Sequence, residues 1–124
     1  MADERKSVLV VEDDEQSQKY MSILLSKEFD VSIAATSEQV WDIIMNQKID
    51  LILMDLSLRN GDDGLQITRR IRVAAKDPRV PIIALTAHAF PEDRKRSLDA
   101  GCDDYVSKPF QWTQLRALMM QYLS

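Results

Sequence analysis

Residues 8–14 read Val-Leu-Val-Val-Glu-Asp-Asp. Four apolar residues run without alternation into three carboxylates. An unbroken apolar run bounded by polar residues fits a strand buried on both faces, as in a parallel sheet. Three acids at its end repel one another, so the stretch asks for a cation, or the positive end of a helix, close by.

Comparable runs recur at residues 31–34, 51–54 and 82–85, with a shorter one at 105–106. Helical patterns lie between them. Tyr20, Met21, Leu24 and Leu25 share a helix face in a segment beginning near Asp14. Thr36-Ser-Glu-Gln39 has the form of a capping box, opening a helix with Val40, Ile43 and Ile44 inward. Ile67, Ile71 and Ala74 mark a third helix. Pro91-Glu-Asp-Arg opens a fourth, with Gly101 just past its end, and Trp112, Leu115, Met119 and Tyr122 give the last its stripe. Strands and helices therefore alternate five times. That order predicts an α/β fold: right-handed crossovers, a doubly wound parallel sheet and helices on both faces. Ligands of such sheets sit beyond the carboxyl ends of the strands, so the residues that follow each strand become the candidates.

Size and composition fit this reading. A chain of 124 residues makes one domain, and 45% hydrophobic content can supply its core. The single cysteine, Cys102, excludes an intramolecular disulfide and reads as a small buried hydrophobe. No apolar run is long enough to span a bilayer and the first residues lack a signal peptide's apolar centre, so no membrane association and a cytoplasmic protein are expected. A net charge of −4 argues against direct nucleic-acid binding through overall charge. Basic residues cluster at Arg69, Arg70 and Arg72, and again at Arg94, Lys95 and Arg96. Both clusters read as solvated helix faces; the second also reads as a contact for an acidic or phosphorylated partner.

Five positions converge on one rim of the predicted sheet. Glu12 and Asp13 follow the first strand, Asp55 the third, Thr86 the fourth and Lys108 the fifth. Asp14 reads instead as the cap of the next helix. Singly, each has an ordinary explanation as a cap, a turn former or a solvated side chain. Together they suit Mg²⁺, which takes one or two protein carboxylates along with waters and phosphate oxygens. Asp55 could act as a nucleophile forming an aspartyl phosphate, with metal, Lys108 and Thr86 neutralising the charge that develops.

These residues resemble the response-regulator receiver domain of two-component signalling. The resemblance covers essentially the whole chain, 1–124, through V-L-V-V-E-D-D, L-I-L-M-D-L-S-L, I-I-A-L-T-A-H-A and G-C-D-D-Y-V-S-K-P-F. It is strongest toward single-domain regulators and hybrid histidine kinase receivers. The resemblance implies a flavodoxin-like (βα)5 sheet in the order 2-1-3-4-5. It implies Asp55 as phospho-acceptor, with Asp13 as the direct Mg²⁺ ligand (Mn²⁺ could substitute) and Glu12 as the weaker or water-mediated one. The Ser57 backbone carbonyl would complete the protein's part of the metal shell. Thr86 and the Ala87 backbone N–H would take phosphoryl oxygens, Lys108 would pair with the phosphate, and the Lys108–Pro109 bond would be cis. Thr86 and Tyr105 would form the switch that reshapes the face of helix four, strand five and helix five. Ser57 and His88 would tune hydrolysis of the acyl phosphate.

Three departures from the family's pattern stand out, one of them His88, two residues after Thr86. Arg59 occupies a position where proline is common, and the loop at 59–64 is one residue longer than usual, which leaves the start of the third helix open. The expected partners are a histidine kinase or histidine phosphotransfer protein and a downstream target, with the chain a monomer or weak dimer. It would not be an enzyme toward other substrates, catalysing only its own phosphorylation and dephosphorylation. Met1 and the lack of a trailing linker favour a natural single-domain protein over a receiver cut from a hybrid kinase. Three rivals fit less well. An aspartyl phosphatase would want a second acid at Ser57, a flavin carrier would want a Ser-, Thr- or Gly-rich loop in place of residues 12–15, and a pseudo-receiver would not need the full set Asp13, Asp55, Thr86 and Lys108.

Overall fold

A computed structural model describes residues 5–59, 61–87 and 90–123. Strands and helices alternate through β1 (Ser7–Val11), α1 (Glu15–Leu25), β2 (Asp30–Ala34), α2 (Ser37–Asn46), β3 (Leu51–Asp55), α3 (Gly64–Ala74), β4 (Ile82–Thr86), α4 (Pro91–Ala100), β5 (Asp104–Ser107) and α5 (Trp112–Leu123). All strand pairs are parallel, in the order β2-β1-β3-β4-β5. This is the flavodoxin-like topology the resemblance implied. The order reverses at β1, so the ends of β1 and β3 flank the crevice where the rule for open sheets places a ligand.

The alternation of side chains along each strand divides the core into two layers. Leu9, Val11, Ile52, Met54, Ile82 and Ala84 face α2 and α3, meeting Val40, Ile67 and Ile71. Val8, Val10, Leu51, Leu53, Ile83 and Leu85 face α1 and α5, meeting Met21, Leu25, Leu115 and Met119. β3 and β4 are buried along their whole length, as their unbroken apolar runs require. β2 is an edge strand, and only Ala34 in it is fully buried, so its apolar run is half-covered rather than enclosed.

The helix ends obey local chemistry. Asp14 caps α1 by accepting from Ser17 N at 2.9 Å. Thr36 Oγ1 accepts from Gln39 N at 3.1 Å, and Gln39 Oε1 returns to Ala35 N at 2.7 Å. The return bond reaches one residue earlier than in a standard capping box. Gly101 ends α4 at φ 114°, a left-handed conformation that favours glycine, and an added Cβ there would meet Arg72 Cγ at 2.7 Å.

Three positions differ from the sequence reading. Tyr20 is exposed, and its ring packs tilted against Phe110 at 6.4 Å between centroids. Ala74 also faces solvent while Ala75 packs on the core, because α3 ends there and the chain turns inward. Arg72 is no solvated member of a basic cluster. It donates to the carbonyls of Gly101 (2.9 Å), Pro78 (2.8 Å) and Val80 (2.6 Å), and to Asp103 Oδ2 (2.8 Å).

Candidate functional site

The carboxyl ends of β1, β3 and β4 and the loop after β5 bring the candidate residues together. Asp55 is the last residue of β3 and is buried. Its Oδ1 accepts from Ser57 N at 2.8 Å and its Oδ2 from Lys108 Nζ at 3.0 Å. Lys108 also stands 3.6 Å from Glu12 Oε1, so one ammonium serves two buried carboxylates. Lys108 N donates to Thr86 O at 2.7 Å, which fixes the β5–α5 loop against the end of β4. The Lys108–Pro109 bond is cis.

Electrostatics mark Glu12 as the unusual acid. Burial, with the hydrogen bond and charge of Asp55 added, pushes its pKa up to about 7 against the pull of Asp14 N and Lys108. Asp14 goes the other way: hydrogen bonds from Ser17 hold its carboxyl below the ordinary value. Two facing carboxylates, one driven toward protonation, form a site that gains from a further cation.

Asp13 is turned toward the loop after β3, where its Oδ2 accepts from the Arg59 backbone N–H. Proline at position 59 would have no hydrogen to donate, so this bond exists because of the departure. Two further acids of that loop, Asp62 and Asp63, are also hydrogen-bonded. Asp62 Oδ2 accepts from Ser37 N at 2.8 Å, and Asp63 caps α3 by accepting from Leu65 N at 2.9 Å. The third helix therefore starts at Gly64. An alanine Cβ at Gly64 would lie 2.8 Å from Asp55 O, so glycine lets α3 approach the end of β3. No spacing rule in the sequence singled out Gly64.

The donor set fits Mg²⁺. Among the described residues no three acidic, histidine or cysteine side chains close into a metal cage. Mg²⁺ does not ask for one, since it keeps several waters and binds through few carboxylates. Glu12, Asp55 and Ser57 already lie within one hydrogen-bonded cluster, and Asp13 is the next residue along from Glu12. A pocket of about 570 Å³ opens beside them, lined by Glu12, Asp55, Ala87, Lys108, Tyr20 and Phe110 among others.

Thr86 is buried at the end of β4 and Ala87 is exposed just beyond it. Tyr105 is half-buried on β5, and burial and the charge of Asp93 raise its pKa. His88 lies outside the described residues. On α4, Lys95 pairs with Asp99 at 3.6 Å and Arg96 with Asp93 at 3.9 Å, so that basic cluster is partly neutralised within its own helix.

The family model of the response regulator receiver domain matches residues 8–120. Hybrid signal transduction histidine kinase I of Dictyostelium discoideum is 40% identical over 112 residues, 84% of this chain and 6% of that protein. Response regulator MprA of a Mycobacterium species is 34% identical over 117 residues, 94% of this chain and 50% of its own length. The chain thus spans half the length of one of these relatives and a small part of the other. Among solved structures, the receiver domain of a sensor histidine kinase from Pseudomonas aeruginosa has a magnesium ion coordinated in its active-site cleft. It superposes with TM-score 0.86 at 36% identity, covering 97% of this chain and 98% of that one. Chemotaxis protein CheY4 of Vibrio cholerae superposes with TM-score 0.89 at 21% identity, covering 97% of this chain and all of that one, a likeness of fold. No helix among the described residues is long and apolar enough to cross a membrane.

Proposed function

The chain belongs to the response regulator receiver family, and from that premise we propose that it accepts a phosphoryl group on Asp55 and signals by a change of surface. The observation that carries this reading is the Lys108–Asp55 contact of 3.0 Å, with Glu12 sharing the same ammonium. A carboxylate held beside one cation, at the strand end where a ligand is expected, is placed to act as a nucleophile.

The donor is a phosphohistidine on a histidine kinase or a histidine phosphotransfer protein. An Asp55 carboxylate oxygen attacks phosphorus, the P–N bond breaks, and the imidazole nitrogen keeps the electron pair and takes a proton. Lys108 follows the charge from the free carboxylate to the acyl phosphate. The Thr86 hydroxyl and the Ala87 N–H accept the remaining load by donating to phosphoryl oxygens. Mg²⁺, held by Glu12, Asp13, Asp55 and the Ser57 carbonyl, would neutralise charge on the transferring group. Hydrolysis returns the free carboxylate when water attacks phosphorus, and Ser57 and His88 tune its rate. The chain is thus no enzyme toward other substrates.

Readout runs through the face of α4, β5 and α5. Thr86 moves toward the phosphoryl oxygens and Tyr105 turns toward the space left behind. A downstream target then meets the new surface, with Arg94 and Lys95 as contacts for acidic or phosphorylated groups. Reversing both charges should weaken target binding without changing labelling of Asp55.

Incubation with acetyl phosphate and Mg²⁺ tests the central step. Intact mass should rise by one phosphate, EDTA should prevent the gain, and Asp55→Asn should show none. A wild-type chain that gains nothing, or a variant that gains as much, defeats the reading.

A further inference from the structure

A smaller pocket of about 140 Å³ lies between the β3–α3 loop and α4. Ser57 and Thr86 bound it on the side of the acceptor, and Asp93, Arg96 and Ser97 on the side of the helix. Ser57 already donates its amide to Asp55 at 2.8 Å, so one wall of the pocket touches the acceptor itself.

Across the pocket, Arg96 is only loosely held. Its Nη1 is 3.9 Å from Asp93 Oδ1, at the limit of an ion pair, and its side chain is 68% exposed. Pairs of this kind contribute little, so the guanidinium is free to exchange Asp93 for a better anion. A phosphoryl group brings three acceptor oxygens and roughly one and a half to two negative charges near neutral pH. It also matches the planar fork of a guanidinium, which a carboxylate at the limit of contact does not. Within the site, Lys108 is shared between Asp55 and Glu12, so a guanidinium would add to the neutralisation that Lys108 and Mg²⁺ supply to a phosphoryl group. Arg94 and Lys95 do not line this pocket, whereas Arg96 does.

We propose that Arg96 is a second cation for the phosphoryl group on Asp55, parked on Asp93 until that group arrives. The proposal rests on the phosphoryl reading above and adds to it a binding residue carried by α4. Transfer of the guanidinium from Asp93 to the phosphoryl group would draw the second turn of α4 toward the site. Chemistry at Asp55 would then be coupled directly to the helix that presents Arg94 and Lys95.

Beryllofluoride, an unreactive phosphoryl analogue, provides the probe. Its half-saturating concentration is read by fluorine NMR in the presence of Mg²⁺, with thermal unfolding run alongside. Arg96→Gln should weaken binding by roughly tenfold, the worth of a charge-assisted hydrogen bond, and Arg96→Lys should recover part of the loss. Asp93→Asn should tighten binding by about twofold to threefold, the worth of an exposed ion pair. That gain should vanish in the Arg96→Gln background, whereas a general effect of removed negative charge would persist. Glu92→Gln, which removes a charge from the same turn outside the pocket, should leave affinity unchanged. The proposal is overturned if Arg96→Gln binds like wild type, or if the Asp93→Asn gain survives without Arg96. Wild-type chain that fails to bind the probe, or Asp55→Asn that binds it equally, overturns the phosphoryl reading itself and the proposal with it.

Discussion

Lys108 Nζ lies 3.0 Å from Asp55 Oδ2, closing a contact between residues 53 positions apart in the chain. The loop after β5 thereby delivers a cation to the end of β3. If Lys108 follows charge onto the phosphoryl group, Lys108→Met should slow labelling by acetyl phosphate by about two to three orders of magnitude, a range typical for losing one preorganised charge stabiliser. Labelling is followed by intact mass over time. A rate within twofold of wild type would show that the contact is structural only.

The raised pKa of Glu12 predicts the sign of a pH effect. A carboxyl group that titrates near 4.5 when unfolded and about 7 when folded binds more protons in the native state between those values. Stability from this group is therefore full below the unfolded pKa and is lost as pH rises through the window. Each pH unit within that window removes about 1.4 kcal/mol, so raising the pH from 5 to 8, which crosses about two of those units, loses of the order of 2–3 kcal/mol. Glu12→Gln removes the effect, so without metal its stability relative to wild type should improve by about that much between pH 5 and pH 8. Urea unfolding in EDTA at the two pH values measures the difference. A gap that does not change with pH would mean that Glu12 titrates normally.

Arg59 bears on metal affinity through its backbone. Its N–H bonds Asp13 Oδ2, and a metal taken up through Asp13, as proposed, would compete with that hydrogen bond. Arg59→Pro deletes that donor, and Mg²⁺ should then bind more tightly by about threefold to tenfold, since releasing one hydrogen bond is worth about 1 kcal/mol. Calorimetric titration with Mg²⁺, repeated with Mn²⁺, reads the change. Unchanged or weaker binding would exclude competition between the Arg59 amide and the metal.

The fold was legible wherever one residue type had one physical use. Unbroken apolar runs marked β1, β3 and β4 because both faces of those strands are covered. Asp14, Thr36, Pro91 and Gly101 punctuated the helices because caps and turns depend on local chemistry. The acids and Lys108 could be placed on one rim because parallel topology puts every strand's carboxyl end on the same side. What stayed hidden depends on distance across the fold. Gly64 matters through its approach to Asp55 O, and Asp13 through a bond to a backbone amide 46 residues away. Arg72 looked like its neighbours Arg69 and Arg70, because composition cannot say which arginine of a helix faces inward.

That arginine carries the strongest prediction about stability. Arg72 binds three backbone carbonyls and Asp103, and Asp103 Oδ2 accepts in turn from Ile82 N at 2.8 Å. One side chain thus joins the end of α3 to the start of β4 and to the turn between α4 and β5. Arg72→Met should lower stability by about 2–4 kcal/mol, since it strands several acceptors together with a carboxylate. Asp103→Ala should cost less, and the double variant should cost clearly less than the sum, because both single changes break the same contact. Arg72→Lys should recover only part, an ammonium being unable to reach so many acceptors from one plane. The clamp sits at the amino end of β4, away from the carboxyl rim that carries Asp55, so labelling by acetyl phosphate should persist in every variant that remains folded. Additive losses in urea unfolding, or full rescue by lysine, would show that the guanidinium does not act as one unit.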